Sequence, residues 1–209
     1  MMNPLEQFGQ IDIYLFDQLL KGRLPPGTRV LDAGCGAGRN LVYFLRAGYE
    51  VFGVDQSAES IAHARRLAAS LNPDLPSGNF LVSAVESMPF PGGHFGAVIS
   101  SAVLHFARDA RHFRAMLDEM WRVLGPGGLF FARLASSIGI EGLVTPVGSG
   151  GRYLLPDGSE RFLIDEAALV AAAEELGARW LDPLKTTNVQ NQRCMTTWVL
   201  RKAAAAGAP

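Results

Sequence analysis

RVLDAGCGAGRN, residues 29–40, decides how the rest of this 209-residue chain is arranged. It is a short apolar strand that ends in an acid, Asp32, and opens into glycines at alternate positions, Gly34, Gly36 and Gly38. Helical periodicity then begins with Leu41, Phe44 and Leu45. A strand that turns straight into a helix gathers backbone N–H groups and the positive end of the helix dipole at one point, and glycines let a ligand lie against bare backbone. The expected ligand is small and partly polar. The competing reading is a tight turn that only joins two packed elements.

The interval to the next acid extends the pattern. A helix over Asn40–Ala47 is stopped by Gly48, and a second apolar strand, Glu50–Val54, ends in Asp55. One helix and one strand fit between Gly38 and Asp55, so Asp55 arrives at the carboxyl end of the neighbouring parallel strand, beside the glycine turn. An acid there can accept both hydroxyls of a ribose. The plainer alternative makes Asp55 a helix cap or a solvated strand-end acid, although Ser57 is an equally good cap.

Upstream, Phe8, Ile11, Tyr14, Leu15 and Leu19 fall at helical spacing, so Leu5–Leu20 reads as one amphipathic helix with Gly9 as its weak point. Pro25, Pro26 and Gly27 deliver the chain into a strand over Thr28–Ala33. Downstream, an Ala-rich helix over Ala58–Leu71 closes at a loop whose two prolines forbid continuation. A short strand, Asn79–Ser83, is followed by the turn-rich ESMPFPGGHF and by Phe95–Ser101, apolar enough to be buried on both faces. Between Arg108 and Leu124, the residues Phe113, Met116, Leu117, Met120, Trp121 and Leu124 make one helix stripe, which assigns Met and Trp to the core. The run from Gly125 to Gly128 is a stop, and Leu129–Leu134 reads as a fifth strand. Ser136–Gly151 is rich in Gly and Ser, and RYLLPDGSERFLI reads as a hairpin about Pro156, Asp157 and Gly158. Asp165 caps a helix reaching Leu176, and two last strands are expected near Arg179–Leu184 and Arg193–Arg201. Strands alternating with helices make a doubly wound parallel sheet the economical α/β architecture.

Composition narrows the partners. With 48% hydrophobic and 19% charged residues the chain is an ordinary globular one, long enough for one full core. No apolar run approaches the roughly 20 residues that span a bilayer, and MMNPLEQFGQ has neither a basic start nor an apolar signal core, so a cytoplasmic protein without membrane association is expected. Two cysteines, Cys35 and Cys194, supply no disulfide framework and no metal-ligand spacing. A formal net charge of −1 with scattered Lys and Arg gives no basic stripe, so nucleic acid is not an expected partner.

In their order along the chain, VLDAGCGAGRN, GYEVFGVDQS, MPFPGGHFGAVISSAVLHF and WRVLGPGGLFF resemble the motifs of the class I S-adenosylmethionine-dependent methyltransferases. The likeness covers residues from about 29 to 202, and the GRN ending with LVYFLRAGYEV also resembles the tellurite-resistance-type branch. The resemblance implies a Rossmann-like fold with a seven-stranded, mostly parallel sheet, helices on both faces and an antiparallel last strand. It implies a single domain over 1–202, with an N-terminal helical lid (1–24), a hairpin insertion beside the acceptor pocket (136–164) and a disordered tail (203–209). The implied cofactor is S-adenosyl-L-methionine, the implied product S-adenosyl-L-homocysteine, and the implied partner a small-molecule acceptor, with the protein a monomer or homodimer.

Carried onto this sequence, the family pattern puts Gly34, Gly36 and Gly38 under the methionine part of the cofactor, with Cys35 and Asn40 also in the cofactor-binding stretch. Asp32 orients the turn or its waters, Asp55 takes the ribose hydroxyls, and Gln56 flanks the adenine. Val85 and Glu86 belong to the adenine-side loop, where Ala84 replaces the family's frequent acid and either Glu86 or a backbone carbonyl is the candidate substitute. Ser100 and Ser101 match positions whose backbone meets the methionine amino group. Gly96 departs from the family's usual Asp.

Methyl transfer from a sulfonium is an in-line displacement, so the main task is holding nucleophile, methyl and sulfur in line, and no acid–base constellation is required. His105, just after the fourth strand, is the best-placed catalytic candidate, as general base or as acceptor-orienting group, against a half-buried histidine bonded to backbone. Arg133 and Arg193 face either an acidic substrate or ordinary surface partners. Tyr14 is a cofactor cover or packing, and Cys35 is a small buried filler rather than a nucleophile. An NAD-dependent oxidoreductase would need glycine where Arg39 stands and does not normally carry an acid two residues before the first glycine. A non-catalytic module on the same fold is the other alternative, because fold does not imply function.

Overall fold

The computed structural model describes residues 3–204. The chain begins with two short helices, α1 (Pro4–Phe8) and α2 (Ile13–Leu20), rather than one. The break is at Gly9, whose φ of 62° ends α1, and Asp12 then caps α2 through a bond from the Tyr14 N–H.

Five parallel strands follow: β1 (Arg29–Ala33), β2 (Glu50–Asp55), β3 (Phe80–Val82), β4 (Phe95–Ser101) and β5 (Leu124–Ser136). They are interleaved with α3 (Val42–Arg46), α4 (Ala58–Leu71) and α5 (Ala110–Val123). A small antiparallel sheet of β6 (Thr145–Val147), β7 (Arg152–Leu154) and β8 (Glu160–Phe162) comes next, then α6 (Glu166–Glu175) and the strands β9 (Arg179–Trp180), β10 (Lys185–Val189) and β11 (Arg193–Arg201). The main sheet has the order β10-β11-β5-β4-β1-β2-β3, with β9 beside β11, and β11 runs antiparallel to β5.

This is the expected doubly wound α/β fold. Alternation along each central strand sends side chains to two cores. Val30, Ala97, Ile99 and Phe131 face α2, α3 and α4 with Leu15, Phe44 and Ile61. Leu31, Val98 and Phe130 face the other way, onto Phe113, Leu117 and Leu169 of α5 and α6. Each such side chain fully buried contributes roughly 1.5–3 kcal/mol, which is why continuous apolar runs settle in the sheet centre.

Three expectations change. The run Gly125–Gly128 bulges out of β5 rather than preceding it, because Leu124 still pairs with Phe95 and Leu129 with Ala97. The stretch 179–184 holds only the two-residue β9, and the edge strand is β10, KTTNV, whose Thr-rich, half-exposed pattern carries little apolar signal. The hairpin about Asp157 forms, with Gly158 at φ 79°, and gains a third strand, β6, from the Gly/Ser-rich stretch. Of the tail 203–209, residues 205–209 lie outside the described residues.

Candidate functional site

All five parallel strands end at one edge of the sheet, and the strand order reverses between β1 and β4. A crevice outside that reversal point is where open α/β sheets bind ligands.

The glycine turn is tied to β2 more closely than its sequence suggests. The N–H groups of Gly34 and Cys35 both donate to the Val54 carbonyl at 2.8 and 2.9 Å, and that of Gly36 donates to Asp55 Oδ2 at 2.9 Å. The helix that follows has only five residues. The expected donor cluster at a helix N-terminus is therefore used up inside the protein at these three positions, and the glycines instead supply a surface without side chains. Gly36, at φ 52°, looks onto open space, while a Cβ on Gly34 would sit 2.5 Å from Val103 Cγ2.

Asp55 is half-buried. Its Oδ1 accepts the Ser57 N–H at 2.9 Å, and Ser57 caps α4 through a bond from Ser60 N. Asp55 is thus not the cap; it clamps the glycine turn to the start of α4 and keeps lone pairs toward the crevice. A cavity of about 350 Å³ opens there, walled by Gly34, Asp55, Gln56 and Val85 from the expected set. Ala102, Val103, Phe106, Arg108, His112 and Met116 complete the wall. None of these six is marked by the glycine motif. Met116 carries only the core stripe as a signal, and His112 is brought in because Asp109 caps α5 just before it.

Other expected residues lie behind or beside this wall. Cys35 packs against Gly53, and burial, followed by the charges of Asp32 and Asp55, pushes its thiol above the usual range, so it is inert filler. Gly38 is buried against Leu67 of α4. The Asn40 side chain accepts the Asp12 N–H at 3.0 Å and so serves the N-terminal segment. Ser100 is fully buried, and its hydroxyl has no hydrogen-bond partner. Glu86 turns toward α5: His112 Nε2 lies 2.9 Å from its Oε1, close but poorly aligned as a hydrogen bond. Burial alone would raise the Glu86 carboxyl, yet its own backbone N–H and His112 outweigh that and hold it below the ordinary range. Gly96 lies at the opposite end of β4 against Thr28, so its departure from the family pattern does not touch the crevice. A larger cavity, about 610 Å³, is also at that far edge, beside Gly96, Gly125 and Arg201.

A second cavity, of about 500 Å³, adjoins the first at Ala102, which walls both. Ala102 follows β4 with φ 64°, and its N–H donates to the Arg133 carbonyl at 2.7 Å. A non-glycine residue held left-handed is a strained point that the surrounding structure must impose. His105 lies on this second side. It is 6% exposed, and its Nδ1 accepts the Ala135 N–H at 3.1 Å. Its ring proton is therefore on Nε2, and burial with Arg161 and Arg133 nearby lowers its pKa to about 4. This corrects the general-base reading: with Nδ1 occupied and Nε2 protonated, His105 can donate a hydrogen bond but has no free lone pair. Ser101 also joins this side, donating to Asp12 Oδ2 at 3.2 Å and accepting from Arg39 at 3.0 Å. Tyr14 bonds Thr187 through its hydroxyl and lies under Arg133, so it packs outside the two cavities.

Asp32 is 1% exposed, and neither carboxylate oxygen has a hydrogen-bond partner. Burial raises its pKa to about 7, opposed by Arg39 and Asn40. A raised carboxyl pKa gives stability that is complete below about 4 and is lost as pH rises through 7, worth on the order of 4 kcal/mol. His105, with its lowered pKa, works in the opposite sense, losing stability as pH falls from 6.5 toward 4. The variant Asp32→Asn is therefore expected to gain on the wild type steadily between pH 4 and 8 in thermal unfolding. A difference independent of pH would show that Asp32 does not titrate in this range.

A parallel sheet whose order reverses at β1, with a glycine turn and a strand-end acid at the reversal, defines a Rossmann-like domain. Residues 30–128 match the family model described as a methyltransferase domain. An O-methyltransferase of ubiquinone biosynthesis from Brucella anthropi is 30% identical over 167 residues, covering 77% of this chain and 64% of the relative. An S-adenosyl-L-methionine-dependent Diels-Alderase from Talaromyces variabilis is 34% identical over 112 residues, 51% of this chain and 36% of the relative. In fold, a SAM-dependent methyltransferase from Methanosarcina mazei superposes with a TM-score of 0.69 at 20% identity, over 89% of this chain and 97% of that one. Residues 30–128 thus match a methyltransferase domain, and the chain is similar in sequence and in fold to S-adenosylmethionine-dependent methyltransferases. It spans between about half and two thirds of the length of the first curated relatives it matches, 47% to 66%. Among the described residues, no helix is long and apolar enough to cross a membrane.

Proposed function

We propose that this protein transfers the methyl group of S-adenosyl-L-methionine to a small-molecule acceptor. The observation that carries the reading is the meeting of two cavities at the strained Ala102, one walled by the glycine turn and Asp55 and the other by His105 and Arg133. A ligand and an acceptor held in them would face one another across that point. The first cavity, at about 350 Å³, is within the range of small-molecule sites, and its chemistry fits the cofactor: bare backbone at Gly34, a ribose-accepting acid at Asp55, and an apolar slot of Val85, Val103 and Met116 for a base. When bound, the cofactor supplies an electrophilic methyl on sulfur. The chain's part is to hold the acceptor in line with it and keep water out, with Nε2–H of His105 orienting the acceptor. The N-terminal segment 1–24 and the insertion 136–164 act as cover and acceptor wall of a single catalytic domain. The protein works in the cytoplasm as a monomer or homodimer, without nucleic acid or membrane.

Calorimetry with S-adenosylhomocysteine and with NAD tests the cofactor: binding of the first and not the second is expected, and tight NAD binding alone overturns the reading. The similarity to a Diels-Alderase supports a second possibility, a cofactor-binding protein that transfers no methyl. Conversion of S-adenosylmethionine to S-adenosylhomocysteine with any member of an acceptor panel separates the two.

A further inference from the structure

The second cavity has a chemistry of its own. Four arginines wall it, Arg39 from the glycine turn, Arg133 from β5, Arg161 from β8 and Arg193 from β11, so residues far apart in sequence converge on one space of about 500 Å³. Among the described residues, two carboxylates lie within 4.0 Å of them. Asp12, buried behind the wall, pairs with Arg133 at 3.2 Å, and Asp157 pairs loosely with Arg193 at 3.4 Å. Among the described residues, neither Arg39 nor Arg161 has a carboxylate within 4.0 Å.

The two that lack a carboxylate are also held in place. Arg39 donates to Ser101 Oγ at 3.0 Å. Arg161 lies over the Phe106 ring at 5.1 Å and donates to the Glu160 carbonyl. His105 adds a neutral donor, because its Nδ1 is taken by the backbone and its Nε2 keeps the proton. Against this surplus of positive charge and donors, Leu155, Val189 and Met195 form an apolar flank.

We propose that the acceptor is an anion, carrying a carboxylate or phosphate that the arginines hold while an apolar body lies on Leu155 and Met195. This rests on the methyltransferase reading for what happens next, but the binding itself does not. Guanidinium groups suit such anions because their planar fork donates two parallel hydrogen bonds, and convergence of several from different elements fixes orientation as well as charge. A carboxylate entering here meets Arg161 and Arg39, which exchange only neutral partners for it.

The test uses the full chain saturated with S-adenosylhomocysteine and titrated calorimetrically with benzoate, phenyl phosphate and the neutral benzamide. At least one anion is expected to bind about tenfold or more tightly than benzamide, and the stronger of the two anions distinguishes a carboxylate from a phosphate acceptor. Arg161→Gln and Arg193→Gln are each expected to weaken that anion by about tenfold while leaving S-adenosylhomocysteine affinity unchanged, which also shows that the variants are folded. Equal binding of benzamide, no binding of either anion, or anion affinity unmoved in both variants overturns the proposal. Failure of S-adenosylhomocysteine to bind overturns the methyltransferase reading alone. The same anion titrations on the unsaturated protein, with folding of the variants checked by circular dichroism, then decide the inference.

Discussion

Replacing Asp55 with Ala is expected to weaken S-adenosylhomocysteine binding by about 100-fold or more. Two losses combine. The carboxylate that would accept the ribose hydroxyls disappears, and a hydrogen bond to a charged group is worth roughly 1.5–3 kcal/mol. The Gly36 and Ser57 N–H groups also lose their acceptor, at 2.9 Å in each case, so the turn is no longer held at the cavity mouth. Unfolding by denaturant should register this second loss as about 2 kcal/mol of stability. Asp55→Asn, which keeps an oxygen for one N–H but loses the charge, should fall between wild type and Ala in both measurements. Unchanged affinity in Asp55→Ala would remove Asp55 from the binding site altogether.

Gly34→Ala is expected to be the more damaging single-atom change. The new Cβ would sit 2.5 Å from Val103 Cγ2 and 2.9 Å from its Cγ1, at a φ of +84° that L side chains rarely adopt. Overpacking and a left-handed backbone each cost roughly 1–3 kcal/mol, so a loss of about 2–6 kcal/mol is expected in chemical denaturation. The clash and the backbone contribution can be separated. Adding Val103→Ala to Gly34→Ala should restore part of the loss, because it removes both clashing methyls. Gly36→Ala, with φ +52° and nothing within 4 Å of its Cβ, should cost only about 1–2 kcal/mol. Equal effects at the two glycines would mean that close approach to Val103 is not what Gly34 provides.

These two residues also show where a sequence reading of the site stops. The glycine spacing and the distance to Asp55 place both at one sheet edge, because a helix and a parallel strand of that length can return nowhere else. The use of the turn's N–H groups was not legible. Whether they point at a ligand or at the Val54 carbonyl depends on how β1 and β2 are registered, and the alternation of apolar residues is satisfied either way. The same limit applies to His105. Its position after β4 follows from strand order, while its tautomer is set by the Ala135 N–H, which arrives from 30 residues away.

The sequence by itself determined the doubly wound sheet, the placement of the glycine turn against Asp55, and the helix stripes that cover both faces. Those properties follow from local periodicity and from the short, right-handed connections that parallel strands require. Only the tertiary structure decided that Cys35, Gly38, Asn40 and Glu86 turn away from the crevice, and that His105 is a donor. It also decided that arginines at positions 39, 133, 161 and 193 share one cavity. The physical reason is that side-chain function here is a matter of which groups from distant segments meet. Burial and hydrogen-bond partners set that meeting, and neither is encoded in the spacing of any one motif.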